Sequence, residues 1–279
     1  MEIVTLPKDL QLEDVPLIQM FDYETSDECS KQRINLTQNT ISFLREGFKE
    51  VITDNSSISI HNSDFLLMKS GHCLMTEKLS IAKNHYRSIL LFFSDQTIFE
   101  FIRKYNITHK KNVEGASVMA FQYDHFIHTF VSSLIDINKL DSNVRNKILQ
   151  VKFEELMLYL IEKQGVIFLY SLIENINDQS RNLIKIVENN KLNKLTLKEL
   201  AFLSNMSVST FKREFEKHFQ ESPIKWFQDK RLEYSAFLLK SESKRPSDIF
   251  EEIGYENLSN FIHAFKTKFG VTPKQYQIN

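Results

Sequence analysis

Glycine is scarce in this chain, 6 of 279 residues, and proline (5) and cysteine (2) are scarcer still. No glycine-rich phosphate loop occurs, nor a G-x-S-x-G elbow, and no histidine has a plausible nucleophile in local context, so no enzyme is expected. Cys29 and Cys73 have no CxxC or metal-ligand spacing, and so few thiols in a chain this long fit a reducing compartment better than a disulfide scaffold; they read as buried or incidental thiols. His61, His72, His85, His125 and His128 fall in no H-E-x-x-H or His-x-His pattern and read as solvated or core side chains, with no metal and no cofactor implied. No apolar run approaches the ~18 residues of a membrane helix. The opening MEIVTLPKDLQLEDVP lacks the basic start and apolar run of a signal peptide, so a cytoplasmic protein with no membrane partner is expected. Net charge is also lacking, at −1.

What is present in abundance is apolar and aromatic mass. Hydrophobic residues make up 42% of the chain, with 23 phenylalanines, enough to offset chain entropy and build a folded core. The length exceeds the ~100 to 200 residues typical of one domain and predicts two. The near-zero charge hides a split: residues 180–279 hold 17 Lys and Arg against 12 Asp and Glu, whereas residues 1–179 hold 18 against 24. A formal +5 on the last hundred residues is compatible with an anionic partner but is common in ordinary domains.

From Val15 to Phe93 the pattern favours short strands, at VPLIQMF, TISFL, FKEVIT, SISI, DFLLMKS, HCLMTE and YRSILLFF, which predicts an antiparallel sandwich or barrel. Ser94 and Asp95 offer caps for a helix over Gln96 to Tyr105, and a short strand is expected near Ala116 to Gln122. Helical spacing then takes over. Phe126, Phe130, Leu134 and Ile137 mark one helix; Asn143 to Lys163 forms a second, ended by Gly165, with Leu149, Phe153, Leu156 and Leu160 on one stripe. That stripe serves either a homodimer contact or an intradomain core. The polar stretch ENINDQ, Glu174 to Gln179, reads as a linker between a domain over 1–174 and an all-helical one over 180–279.

The helical half repeats itself at an offset of fifty residues. Leu203 falls on Ile253, Ser209 on Ser259, Phe211, Phe215 and Phe219 on Phe261, Phe265 and Phe269, Pro223 on Pro273, and Trp226 on Tyr276. Each copy predicts a short apolar helix (Leu197 to Leu203; Ser247 to Ile253), a tight turn, and a longer helix capped by Ser207 or Asn257. Phenylalanines spaced by four bury one face of each longer helix. The opposite face then carries Ser209, Lys212, Arg213, Glu216 and Lys217 in one copy, and Ser259, Asn260, Ile262, His263 and Lys266 in the other. A helix-turn-helix offers its second helix to the DNA major groove in this way, Arg and Lys suiting guanine, Asn adenine and an apolar side chain the thymine methyl. Ser222-Pro223 starts an intervening helix to about Leu239, roughly 27 Å long, able to hold two readers in successive grooves ~34 Å apart.

These motifs resemble the paired helix-turn-helix domain of AraC/XylS-type regulators over Ser180 to Gln277. The resemblance rests on Ile249-Phe250, Ile253-Gly254-Tyr255, Ser259-Asn260-Phe261, Phe265-Lys266, Phe269-Gly270, Thr272-Pro273, and Arg231-Leu232 with Leu238-Leu239 in the linker helix. It departs from the family pattern at Phe250 and Ser235, where alanine is usual, at Gln220 for a common glycine, at Gln277 for a frequent arginine, and at His263, where arginine is frequent. It implies an α+β, two-domain protein: an amino-terminal cupin-like β-barrel with a helical pair, then two helix-turn-helix units joined by a linker helix. It implies a bacterial transcription regulator, an activator, that binds double-stranded promoter DNA and RNA polymerase and answers to a small-molecule or protein effector. Base-facing positions carried over are Ser209, Lys212, Arg213, Leu258, Ser259, Asn260 and His263; Lys217, Lys266 and the helix starts near Thr196 and Ser247 would meet phosphates. The stretch from Phe65 to Gly71 and on to Phe93 is similar, more loosely, to the type III secretion activators of that family. The alternative is an effector-binding or protein-interaction β-domain whose helical half is mainly a docking surface.

Overall fold

The computed structural model describes residues 2–11, 17–54, 56–108, 116–173 and 179–278, which divide into two compact units, Met1–Asn177 and Asp178–Asn279. The linker expected at 174–179 lies outside the described residues except for Gln179.

In the first unit the strands are β1 (Ile3–Leu6), β2 (Ile18–Thr25), β3 (Cys29–Leu36), β4 (Asn39–Glu46), β5 (Phe48–Ile52), β6 (Ser57–Ile60), β7 (Asp64–Met68), β8 (Gly71–Lys78), β9 (Tyr86–Phe93) and β10 (Val118–Gln122). They form two five-stranded sheets, ordered β1-β3-β8-β5-β6 and β10-β7-β4-β9-β2. Strands β1 and β3 escape the sequence reading. In β3 only Ile34 and Leu36 are buried apolar residues, too few to show an alternation, and β1 pairs with it in parallel, against the expected all-antiparallel pattern.

The compact apolar runs TISFL, DFLLM and YRSILLFF all belong to the second sheet, which is covered on both faces. Leu44, Leu66, Met68, Leu90 and Phe92 share a core with Ile34, Leu36, Val51 and Met75 of the first sheet. Their neighbours one residue out of step, Ile41, Phe43, Phe65, Leu67, Ile89 and Leu91, form a second core with helices. Because successive strand residues face opposite sides, covering both sides makes the whole run apolar. The cupin-like domain is thus a two-sheet sandwich backed by α1 (Asp95–Lys104), α2 (His125–Ile137), α3 (Ser142–Gln164) and α4 (Ile167–Ile173), the last of which the sequence did not reveal. Ser94 and Asp124 accept from the backbone N–H of Thr97 and Ile127 to cap α1 and α2, and Gly165, at φ 76°, ends α3.

The stripe Leu149, Phe153, Leu156 and Leu160 of α3 lies inside this second core, Phe153 against Phe93 at 4.9 Å between ring centroids. Of the two readings of that stripe, the intradomain core is the observed one. The exposed apolar side of α3 is instead Val144, Val151 and Leu158, spaced by seven and 49, 65 and 41% accessible. Cys73 is buried and Cys29 half-buried; burial pushes the Cys73 thiol up to about 12.

The second unit is all helix: α5 (Gln179–Asn189), α6 (Leu197–Leu203), α7 (Val208–Phe219), α8 (Pro223–Ser241), α9 (Pro246–Ile249), α10 (Leu258–Phe269) and α11 (Pro273–Ile278). Pro223, Pro246 and Pro273 each open a helix, where a missing N–H costs nothing. Ser222 sits at the N-cap of α8 as expected, yet its side chain makes no capping bond.

Candidate nucleic-acid interface

The fifty-residue repeat is a structural repeat. In the first copy Phe211 and Phe215 are fully buried, with ring centroids 5.9 Å apart, Phe215 to Phe219 at 4.5 Å and Trp226 edge-on to Phe215 at 5.8 Å. In the second, Phe261 and Phe265 are fully buried, the corresponding separations are 5.7 and 4.4 Å, and Tyr276 stands edge-on to Phe265 at 5.3 Å. The same aromatic lock therefore fixes α7 on the start of α8, and α10 on α11.

Both longer helices start as the sequence predicted. Ser207 Oγ accepts from Thr210 N–H at 3.1 Å, and Asn257 Oδ1 from Asn260 N–H at 2.8 Å. The turns before them differ. Gly254 takes φ +88°, and a Cβ there would meet Arg231 Nη1 at 2.9 Å, so glycine meets both the turn and the close approach. At the carboxyl ends, Gly270 (φ +78°) is matched by Gln220, a non-glycine residue held at φ 57° with its side-chain amide donating to Lys217 O at 2.9 Å.

The helix α8 ties the second copy down by polar contacts. Lys268 of α10 lies 3.3 Å from Asp229 and 3.1 Å from Glu233, and Gln277 donates to the carbonyls of Leu239 (3.2 Å) and Lys244 (3.1 Å). Burial acts to raise the Glu233 carboxyl, but hydrogen bonds from Lys230 and Lys268 outweigh it and hold the group below the usual carboxylate range. Ser235, fully buried where alanine is usual, returns its hydroxyl to Leu232 O at 2.7 Å and so leaves no unsatisfied donor.

The face opposite each aromatic stripe is open. Ser209, Lys212, Arg213 and Lys217 are exposed along α7, and Ser259, Asn260, His263 and Lys266 along α10. Leu258 differs from these: it is half-buried against the core of the second copy. Among the described residues Lys212 and Lys266 make no ion pair. Arg213 and Lys217 both meet Glu214, a residue the sequence reading passed over: Arg213 donates through Nε and Nη2 to Oε1, both at 3.2 Å, and Lys217 Nζ lies 3.8 Å from Oε2. The helix starts near Thr196 and Ser247 already hold a carboxylate each. Glu199 completes a capping box with Thr196, and Asp248 accepts from Ser247 Oγ at 3.0 Å and Arg245 Nε at 3.2 Å.

Two family models match the chain, that of the ExsA N-terminal regulatory domain over residues 39–171 and that of a helix-turn-helix domain over residues 200–278. Both halves of the chain are thus similar to AraC/XylS-type regulators. Similar proteins include the virulence regulon transcriptional activator VirF of Yersinia enterocolitica, 32% identical over 130 residues that make up 46% of this chain and 48% of VirF. The HTH-type transcriptional regulator ExsA of Pseudomonas aeruginosa is 29% identical over 126 residues, 45% of each chain. The chain thus spans about half the length of the curated relatives it matches. Among solved structures, the apo form of a ToxT variant from Vibrio cholerae aligns over 96% of this chain and 99% of its own, at 13% identity and a TM-score of 0.44.

The remaining histidines of the first unit are in ordinary surroundings. His85 contacts Glu24 at 3.0 Å, His61 packs on Phe48, His128 stacks on Tyr123, and burial lowers the His72 pKa. No described helix is long and apolar enough to cross a membrane.

Proposed function

We propose that this chain is a sequence-specific DNA-binding transcription regulator, an activator, whose helices α7 and α10 enter two successive major grooves of promoter DNA. The observation that carries the reading is the duplicated helix-turn-helix, each copy burying an aromatic stripe and leaving a polar, partly cationic face open. Ser209, Lys212 and Arg213 read bases in the first groove, and Ser259, Asn260 and His263 in the second, with Leu258 at its edge. Lys217 and Lys266 hold phosphates. The helix α8, ~28 Å over its length, sets the spacing between readers.

The amino-terminal unit regulates this engagement in response to a small-molecule or protein effector, and the activator contacts RNA polymerase. It also supplies a homodimer contact through the exposed side of α3, Val144, Val151 and Leu158. The amino-terminal half of α3 carries Arg145, Lys147 and Lys152 with no acidic residue, and its carboxyl half Glu154, Glu155 and Glu162 against Lys163, so antiparallel pairing of two copies brings opposite net charges together.

The test is binding of the full chain to duplexes that it selects from a randomised pool, and to random duplexes, over a range of salt. Lys217→Ala is expected to weaken both classes alike and to flatten the salt slope by about 1, whereas Arg213→Ala costs roughly 1 to 3 kcal/mol on the selected sites alone. Equal losses on both classes after Arg213→Ala, or selection of no common sequence, would overturn the reading.

A further inference from the structure

We infer that Glu214 is a positioning residue that makes Arg213 a guanine reader and the first helix-turn-helix the discriminating one of the pair; this rests on the DNA-reading role proposed for α7. A guanidinium has two edges that form paired hydrogen bonds: the side edge, Nε with Nη2, and the end edge, Nη1 with Nη2. Glu214 Oε1 occupies the side edge of Arg213 at 3.2 Å from both nitrogens. The end edge is left free, and it is the edge that meets guanine O6 and N7 in the major groove. An arginine at 73% side-chain exposure otherwise samples many rotamers, and most of them reach phosphate as readily as base.

The clamp is itself held. The side chain of Glu214 is only 26% exposed, on the flank of α7, and its second oxygen faces Lys217 Nζ at 3.8 Å. Lys217 thus partly neutralises a carboxylate that would otherwise repel the DNA backbone, and Glu214 draws Arg213 away from phosphate. Of the two cations assigned to base reading on α7, Arg213 is thus constrained, while Lys212 makes no ion pair among the described residues.

The second copy lacks the device. At the same offset Arg213 is replaced by His263 and Glu214 by Ala264, so α10 has neither fork nor clamp. A histidine without a fixed partner makes at most one bond to a base edge, and discrimination there is correspondingly weaker.

The experiment uses the full chain with two sets of duplexes: a site selected by the wild-type chain that contains guanine opposite α7, and the same site with 7-deazaguanine, which removes the N7 acceptor alone. The wild type is expected to bind the 7-deaza duplex about tenfold more weakly. Glu214→Ala should cut that penalty to about twofold while random duplexes are bound up to about fivefold more tightly, the ceiling for releasing an exposed ion pair. Glu214→Gln keeps an acceptor oxygen without the charge and should restore part of the penalty. Ala and Gln are both good helix formers, so α7 stays formed. If Glu214→Ala strengthens selected, 7-deaza and random duplexes by one common factor, Glu214 is only a repulsive charge and the inference is overturned. If the penalty survives in Arg213→Ala, Arg213 is no guanine reader and the inference is overturned, whatever Glu214 does; only if the full chain selects no common sequence does the reading of α7 itself fail.

Discussion

The most buried charge in the amino-terminal sandwich gives a quantitative test of its interior. Lys49 on β5 is 1% exposed, and its Nζ lies 2.8 Å from Glu77 Oε1 on β8 and 3.2 Å from the Tyr86 hydroxyl on β9. Burial alone would lower the Lys49 pKa, but Glu77 and Tyr86 raise it above the usual lysine value, so the ammonium stays charged. At 2.8 Å and an effective dielectric of about 20 the gross attraction is about 6 kcal/mol, against several kcal/mol of desolvation for each ion. The two nearly cancel, and the net worth of the intact pair is small. Removing one partner is another matter, because the survivor keeps its burial and loses its counter-charge: Glu77→Leu or Lys49→Met should each cost about 3 to 5 kcal/mol. In a unit of this size that lowers the melting temperature by roughly 6 to 20 °C. The double variant Lys49→Met/Glu77→Leu, apolar on both sides, should return to within about 1 kcal/mol of the wild type or exceed it. Thermal and urea unfolding of the four proteins gives the coupling energy. Single variants that each lose under about 1 kcal/mol, or a double variant as unstable as the sum of both, would refute the account of a desolvated, mutually dependent pair.

Three further outcomes follow from other parts of the molecule. Gln220 sits at φ 57°, a conformation costing an L-residue ~1 to 2 kcal/mol, whereas glycine adds ~0.4 to 1 kcal/mol of unfolded-chain entropy; Gln220→Gly should therefore raise stability by about 0.5 to 1 kcal/mol, read from urea midpoints, and a fall would contradict the strain argument. The Glu233 carboxyl titrates below its unfolded value, so its contribution is complete above about pH 4.3 and disappears as pH falls through the lower folded value. Melting curves between about pH 3 and 6 should show acid destabilisation that is flatter in Glu233→Gln, and parallel profiles would rule the pair out as a contributor. Val151, 65% exposed at the centre of the free side of α3, should accept aspartate without unfolding the chain. Sedimentation should then find Val151→Asp monomeric where the wild type is a dimer; an unchanged mass distribution would remove that face as the contact.

Much of the carboxyl-terminal half was legible because its information is local and stated twice. Phenylalanines four apart, a capping Ser207 or Asn257, and a proline opening the next helix all act within one or two turns, and the fifty-residue offset repeats them. The exposure of Lys212, Arg213, Asn260 and His263 follows from the side of the helix opposite the aromatics. Strand β3 was illegible for the opposite reason: as CSKQRINL it has almost no apolar alternation, and its place depends on pairing with β8 some forty residues away. Helix α4 is too short for a period to be seen.

The sequence by itself determined that α3 has an apolar stripe, that two helix-turn-helix copies exist, and, Leu258 and Ile262 excepted, which of their residues face outward. Tertiary structure decided what those faces meet. It placed Leu149, Phe153, Leu156 and Leu160 against the second sheet, leaving Val144, Val151 and Leu158 free, and it set Lys49 against Glu77, 28 residues along the chain. It also turned Glu214 toward Arg213 and Lys217 rather than toward solvent. Periodicity records that a face is apolar or charged, because burial of that face is repeated along the helix; the identity of the partner is fixed by packing between elements, which leaves no periodic trace in the sequence.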